Sequence, residues 1–192
     1  DITSRFALMV YDTLFSLDEN LVPQPQMVGK YEVSADGLTY TFTLRDGLKF
    51  HDGTPVTAED VVASLKRWWV KDGGGQIIQK YSKELTAVDD KTLRLVLTQP
   101  YGLVLDTLAK PDANVPVIMP KRLAATDPNQ AITEVVGSGP FEFAKDEWVP
   151  GSKVVFTKNT DYVPRSEPAN GFSGGKVVKV DRVEWVVLPD PL

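Results

Sequence analysis

Few residues in this chain have the types and spacing that catalysis requires, and they do not combine into a complete catalytic set. The single histidine, His51, lies in the turn-like segment 49–55, where no serine nucleophile stands at motif spacing. The segment Gly137-Ser138-Gly139 resembles the nucleophile elbow of serine hydrolases. However, it lacks the Gly-x-Ser-x-Gly pattern, and Pro140 would interrupt the helix that must follow. We therefore predict that His51 is a structural turn residue and that the two glycines allow close backbone approach.

Metal, phosphate and acid–base chemistry find equally little support. With one histidine and no cysteine, the chain offers no imidazole or thiolate cluster for a transition metal. The run Gly73-Gly74-Gly75 follows a helical pattern and lacks the Lys-Ser/Thr pair of a phosphate loop, so it is interpreted as a flexible connector that ends the helix. The acidic pairs Glu59-Asp60 and Asp89-Asp90 are explained by a helix N-terminus and a hairpin turn. The sequence thus predicts no enzyme, no metal ion and no cofactor.

Composition excludes further classes of protein. The 192 residues are 42% hydrophobic, which is enough to bury a core, and 21 basic against 26 acidic residues give a net charge of -5 without a dense basic cluster. Nucleic acid is therefore not an expected partner. The longest apolar runs, such as Val183–Leu188, are far shorter than the ~20 residues of a membrane helix. The start at Asp1-Ile2-Thr3 carries no leader pattern, which fits a leader that has been removed or trimmed.

Hydrophobic spacing predicts helices in four places. Thr57 is the expected N-cap of the second predicted helix, which begins there and should end at the glycine run 73–75. Trp68 and Trp69 are expected in the core, whereas Trp148, beside Pro150 at a hairpin end, is the tryptophan that could face a ligand. The four predicted helical segments are Ser4–Ser16, Thr57 to Gly73, Tyr101–Ala109 and Lys121–Ala125.

Alternating patterns predict two hairpins and a later group of strands. In the first hairpin, Tyr31–Val33 pairs with Thr39–Leu44, and Tyr40, Phe42 and Leu44 should be buried. The second should join 85–88 to 93–97 through Asp89-Asp90-Lys91. The later strands are predicted at Phe141–Trp148, Lys153–Lys158 and Val177–Leu188, with Trp185 in the core and an exposed loop at Pro164–Gly175.

One long stretch resembles a known family. Residues 35–61 read ADGLTYTFTLRDGLKFHDGTPVTAEDV, which is similar to the signature of the family 5 extracellular solute-binding proteins of peptide/nickel ABC transporters. Three further stretches are similar to the same family in the same order: VYDTLF at 10–15, GSGPF at 137–141, and NTDY at 159–162 followed by VEW at 183–185. The resemblance spans almost the whole chain.

The resemblance implies the fold and the division of the chain. We expect an α/β (mixed α+β) protein: a lobe like that of the type II periplasmic-binding proteins, with a mixed sheet and an inserted α/β subdomain. Residues 1–25 should form the first part of the core lobe, residues 26–130 the inserted subdomain that carries the signature, and residues 131–192 the return to the core lobe. Because family members are much longer, the second lobe is expected to be absent from this chain.

The resemblance also implies a function. Members of this family capture a ligand between two closing lobes and deliver it to an ABC permease in the membrane, so we expect a periplasmic, monomeric substrate-binding component. A peptide is the expected ligand because peptides are the commonest in the family. An opine, a sugar or a metal chelate remains an alternative ligand, and a ligand-handover or signalling module remains an alternative role.

Six residues are the expected ligand contacts. The positions that look cleft-facing by resemblance are Thr3 and Ser4 before the first helix, Asn114 in the loop around residues 112–114, and Ser138 with Gly139. Trp148 is added because of its place at a hairpin end. Small polar side chains and exposed backbone are suited to hydrogen bonds with a polar ligand in a closing cleft.

Overall fold

The computed structural model describes residues 2–189. Its elements in chain order are α1 (Ile2–Val10), β1 (Phe15–Leu17), β2 (Pro23–Pro25), β3 (Val28–Val33), β4 (Thr39–Leu44), α2 (Ala58–Trp68), α3 (Gly73–Tyr81), β5 (Ser82–Ala87), β6 (Thr92–Leu97), α4 (Val104–Leu108), α5 (Lys121–Ala124), β7 (Phe141–Phe143), a 3-10 turn (Lys145–Glu147), β8 (Lys153–Lys158) and β9 (Arg182–Val186). Every strand pairing among the described residues is antiparallel. The parallel strands of a mixed sheet therefore do not lie within residues 2–189.

The larger sheet has the strand order β3-β4-β6-β5 and contains both predicted hairpins. Successive side chains of a strand point to opposite faces, so alternate residues of the two central strands share one face. That face is buried, as the alternating pattern predicted, and its residues on β4 and β6 are Tyr40, Phe42, Leu44, Leu93, Leu95 and Leu97. Together with the helices that cover them, they form the main hydrophobic core.

Helix α2 starts at its predicted cap. Thr57 and Asp60 form a capping box, in which the Thr57 hydroxyl accepts from the Asp60 backbone N–H and the Asp60 carboxylate accepts from the Thr57 N–H at 2.8 Å. Leu65 and Trp68 of this helix are buried, as is Trp69 just after it. Both tryptophans therefore belong to the core, as predicted.

The glycine run 73–75 begins a helix, so its interpretation as a flexible connector is wrong. Helix α2 ends at Trp68, and Asp72 caps α3 by accepting the Gly75 N–H at 2.8 Å. A Cβ added to Gly75 would lie 2.6 Å from the Cα of Trp69. Glycine thus stands here because α3 packs very closely on the end of α2, and the Asp72 cap offsets the low helix propensity of glycine.

The smaller sheet, β7-β8-β9, packs against α1 through aromatic rings. The ring of Phe6 on α1 lies 5.2 Å from that of Phe143 and 5.4 Å from that of Phe156, with tilted or edge-on geometry. Phe156 is fully buried, and its ring lies 4.7 Å from that of Trp185 on β9. Strand β9 therefore finds its partner in the earlier strand β8.

Several predicted boundaries are wrong. The first helix ends at Val10 instead of Ser16, because the chain must then extend so that Phe15 pairs with Pro25. The strand predicted at Phe141–Trp148 ends at Phe143, where the 3-10 turn replaces it.

The predictions for the strand at 177–188 and the loop at 164–175 are also partly wrong. The strand predicted at Val177–Leu188 is confined to β9, and Trp185 is only partly buried. The loop Pro164–Gly175 is not exposed throughout, since residues 173–175 are buried.

Asp12 is the main buried anion at the end of α1. Its carboxylate accepts from the Lys176 ammonium, the Tyr162 hydroxyl and the Thr13 backbone N–H, each at 3.0 Å, and its side chain is fully buried. Burial, and then the negative charge of Asp12, raises the pKa of Tyr162, so the phenol stays protonated and donates. This carboxylate ties the segment 162–176 to the end of α1.

We expect Asp12→Asn to lower the free energy of unfolding by about 3 kcal/mol, because it leaves the Lys176 ammonium without its counter-ion. Urea unfolding at pH 7 measures this value. Asp46→Asn is the matched control, since Asp46 pairs with Lys91 on the surface, where an ion pair contributes little. Equal losses in the two variants would contradict the structural role assigned to Asp12.

Candidate ligand-binding site

A cleft of about 450 Å³ opens between the start of α1, the segment 132–135 and the smaller sheet. We call it the aromatic cleft, because four of the residues that line it are aromatic. The lining residues are Ile2, Thr3, Phe6, Ile132, Thr133, Val135, Phe143, Lys145, Trp148, Val154 and Trp185. Its volume lies in the range of about 300–1,000 Å³ that is typical of small-molecule sites.

Trp148 forms one wall of the aromatic cleft. The 3-10 turn places it, because the Trp148 backbone N–H donates to the Lys145 carbonyl at 3.1 Å. One side of the indole packs edge-on against Phe143, with 6.0 Å between ring centroids, while 46% of the residue is exposed. Part of the indole is thus exposed at the cleft, and its contact with a ligand stays a prediction.

Lys145 is the one charged residue among the described residues that line the cleft. It is exposed, and its ammonium makes no hydrogen bond or ion pair within residues 2–189. Glu134 lies close enough for Lys145 to contribute to the lowering of its pKa, but the main cause is the Arg122 guanidinium, which donates to Glu134 at 2.6 Å. The cleft therefore combines apolar walls with one cation that has no partner of its own.

Ser4 and Asn114 are held within the protein framework. The Ser4 hydroxyl donates to the Asp112 carboxylate at 2.9 Å, and this bond is the main reason that the pKa of Asp112 is lowered. Asn114 has a φ of 62°, and its carbonyl accepts from the Trp68 indole N–H at 2.6 Å. Asn114 and Trp68 line a separate cavity of about 190 Å³.

Ser138 and Gly139 lie buried against the end of α1. The Gly139 N–H donates to the Val10 carbonyl at 2.9 Å, and a Cβ on Gly137 would lie 2.1 Å from that same oxygen. The predicted close backbone approach is thus confirmed. Ser138 is 2% exposed, and its hydroxyl has no hydrogen-bond partner among the described residues.

His51 joins the signature segment to these glycines. The Gly137 N–H donates to His51 Nδ1 at 3.4 Å, so Nδ1 carries no proton, and Nε2–H donates to the Gly139 carbonyl at 3.0 Å. Burial lowers the pKa of His51, which favours this neutral ring. The histidine therefore has a structural role in its turn, as predicted.

The structure brings only some of the six expected contacts together. Thr3 and Trp148 line the aromatic cleft, while the loop of Asn114 is joined to Ser4 through Asp112. Ser138 and Gly139 lie against the opposite end of α1. Their contact with a ligand stays a prediction.

Sequence reasoning missed part of the cleft wall. The lining residues that it did not single out as ligand contacts are Ile2, Phe6, Ile132, Thr133, Val135, Phe143, Lys145, Val154 and Trp185. Two spacings carry a signal for them. A turn brings Lys145 beside Trp148 three residues later, and alternation on β9 places Trp185 on one face of the sheet.

The described part of the chain has neither a metal-binding cluster nor a membrane-spanning helix. Residues 2–189 contain no group of three or more His, Cys, Asp or Glu side chains arranged to hold a metal ion. None of the helices in this range has the length and apolar character needed to cross a bilayer.

Comparison with known proteins decides the family. Residues 22–192 match the family described as bacterial extracellular solute-binding proteins, family 5 Middle. The chain belongs to this family. The resemblance drawn from the signature segment is thereby confirmed, and the family is one of transport-associated binding proteins.

This family 5 chain is similar to three proteins whose names indicate what they bind or transport. The probable peptide ABC transporter periplasmic-binding protein y4tO of Sinorhizobium fredii is 47% identical over 99% of the chain and 36% of its own length. The structure of the PBP AgaA from A. tumefaciens R10 with agropinic acid is 33% identical, with a TM-score of 0.72 over 95% of the chain and 34% of AgaA. The oligopeptide-binding protein AppA of Bacillus subtilis, solved with a nonapeptide, is 25% identical, with a TM-score of 0.76 over 99% of the chain and 36% of AppA.

These matches confirm the predicted fold class, a mixed α/β protein like the type II periplasmic-binding proteins. The chain spans about a third of the length of the relatives it matches.

We expect Gly137→Ala to lower the free energy of unfolding by about 1–3 kcal/mol, because the new methyl group would overlap the Val10 carbonyl. Gly73→Ala is the matched control, since nothing lies within 4 Å of a Cβ there, and it should be neutral or slightly stabilising. Chemical denaturation measures both values. Similar values for the two variants would refute the close approach at residue 137.

We expect the stability of the chain to fall as the pH drops from 7 to 5.5. The pKa of His51 is lowered in the folded state, so the unfolded chain binds a proton at higher pH, and the stabilising contribution is complete only above the ordinary value of about 6.5. His51→Gln should flatten this pH dependence, since the chain has no other histidine. A variant as sensitive to pH as the wild type would show that another group is responsible.

Proposed function

We propose that this chain is the N-terminal lobe region of a substrate-binding protein that serves an ABC importer. It binds a small polar ligand, a peptide by preference, in the periplasm and delivers it to a membrane permease. The observation that carries the proposal is the 47% identity, across 99% of the chain, to a probable peptide ABC transporter periplasmic-binding protein. The nonapeptide complex of the structurally similar AppA supports a peptide ligand.

The proposal includes a division of the chain. Residues 1–25 and 131–192 belong to the core lobe, residues 26–130 form a subdomain inserted into it, and the second lobe belongs to the rest of a longer protein. Two packing units support this division. Helix α1 packs on the β7-β8-β9 sheet, whereas the four-stranded sheet packs with α2 from the same segment, 26–130.

The proposed role is binding without chemical conversion. The Ser138 hydroxyl is buried and has no histidine partner among the described residues, and both nitrogens of His51 are engaged by backbone groups. A nucleophile needs a base within hydrogen-bond reach, so these residues support no acyl transfer. We expect the protein to act as a monomer, with the permease and the ligand as its partners.

A second candidate ligand is an opine. AgaA, solved with agropinic acid, is 33% identical to the chain, against 25% for AppA with its nonapeptide. Agropinic acid therefore belongs in the ligand panel beside peptides.

We expect the full-length protein to be stabilised by a peptide without consuming it. Binding to the native state alone adds RT ln(1 + [L]/Kd), which is about 2.7 kcal/mol at a ligand concentration of 100 Kd. Thermal melts with di- to nonapeptides, agropinic acid, a sugar set and a nickel chelate measure this gain, and chromatography of the ligand measures turnover. The 192-residue chain should bind weakly, because a one-lobe cleft leaves much of the ligand in water.

Two results would contradict the proposal. Stabilisation by none of these ligands would exclude transport-coupled binding of the proposed classes, and conversion of the ligand would indicate an enzyme. Stabilisation by agropinic acid alone would replace the peptide with the opine.

A further inference from the structure

We propose that the aromatic cleft is the subsite for the C-terminal residue of a peptide ligand, with an aromatic or branched apolar side chain between the rings and the terminal carboxylate on Lys145. This inference rests on the proposed function and adds the part of the ligand that this lobe selects. Its basis is the juxtaposition, in the lining of a cleft of about 450 Å³, of apolar walls with a lysine whose ammonium makes no hydrogen bond or ion pair within residues 2–189.

The walls fit an apolar side chain. Trp148 and Trp185 come from different elements, and Phe6 and Phe143 line the same cleft. The ring pairs of this region meet at tilted or edge-on angles of 54–71°, which leaves ring faces and edges for another aromatic group. Burial of the exposed part of Trp148 by such a group would supply hydrophobic binding energy.

The charge fixes the orientation of the ligand. Lys145 attracts a carboxylate and repels the ammonium of a peptide N-terminus, and apolar walls strengthen both effects because they lower the local dielectric constant. The nearby carboxylates do not neutralise it by contact: Glu134 is bound by Arg122, and Glu147 by Arg182, each at 2.6 Å. Asp146 adjoins Lys145 in the 3-10 turn but does not line the cleft.

Thr133 supplies a hydroxyl group in the same cleft lining as Lys145. Thr133 is exposed in the cleft wall, and its side chain makes no hydrogen bond to any residue in the range 2–189. It can therefore donate to a carboxylate oxygen that Lys145 does not satisfy. A cation and a neutral donor beside an apolar pocket are the groups that a terminal carboxylate with an apolar side chain requires.

Isothermal titration calorimetry on the full-length protein tests this inference with three probes: Ala-Ala-Phe, its C-terminal amide, and Ala-Ala-Gly. The wild type should bind Ala-Ala-Phe more tightly than either of the others. Lys145→Met should weaken binding of the free acid about tenfold and leave the amide unchanged, since only the acid carries the charge that Lys145 meets. Lys66→Met is the matched control, because Lys66 is an exposed lysine on α2 away from the cleft lining.

Trp148→Ala provides an independent measurement. It should weaken binding of both Phe-containing probes about tenfold and have little effect on Ala-Ala-Gly, because only the benzyl group packs on the indole. Thermal melts of each variant without ligand confirm that the fold is retained. Both substituted residues are exposed, so large losses of stability are not expected.

The outcomes separate this inference from the proposed function. Equal affinities of wild type, Lys145→Met and Trp148→Ala for all three probes would overturn the subsite and leave peptide binding intact. Tight binding of other peptides without any binding of Ala-Ala-Phe would do the same. Failure of every peptide to bind would overturn the proposed function and, with it, the subsite.

Discussion

Residues 10–13, where α1 ends, form the junction on which the rest of the molecule depends. Its backbone carbonyls accept from Gly139, Ile118 and Met27, which come from three distant parts of the chain. The Asp12 carboxylate also holds the 162–176 segment here, because it accepts hydrogen bonds from Lys176 and Tyr162. Because four segments meet on so few residues, the position of α1 relative to both sheets is set here, and the walls of the aromatic cleft follow from it.

Much of this framework could be predicted from the sequence, because local chemistry decides it. Thr57 and Asp60, three residues apart, form a capping box through contacts within their own segment. The alternating pattern of β4 and β6 predicts a strand with one buried face without any knowledge of what covers that face. The glycines 137 and 139 were also interpretable, since a motif without a catalytic partner leaves close backbone approach as the reason for glycine. These features need no knowledge of distant residues.

The rest could not be predicted because distant contacts override local preference. Three glycines normally end a helix, but the Asp72 cap and the close approach to Trp69 make residues 73–75 the start of one. The apolar pattern of 4–16 suits a helix, yet pairing of Phe15 with Pro25 requires an extended chain. A distant contact also involves one predicted ligand contact: the Ser4 hydroxyl donates to Asp112, and its contact with a ligand stays a prediction.

The family signature and the proposed subsite lie in different parts of the sequence, and this separation has a physical reason. Residues 35–61 supply strand, turn and cap contacts, and His51 is engaged through backbone groups that almost any relative could offer. Two partly buried cations of the framework have anionic partners, since Lys176 pairs with Asp12 and Lys110 with Asp72. Lys145 lies outside both the signature and these pairs, so a change there would alter ligand choice at little cost to the fold. AppA has been solved with a nonapeptide and AgaA with agropinic acid, and a scaffold whose framework residues are separate from the proposed subsite fits this range of ligands.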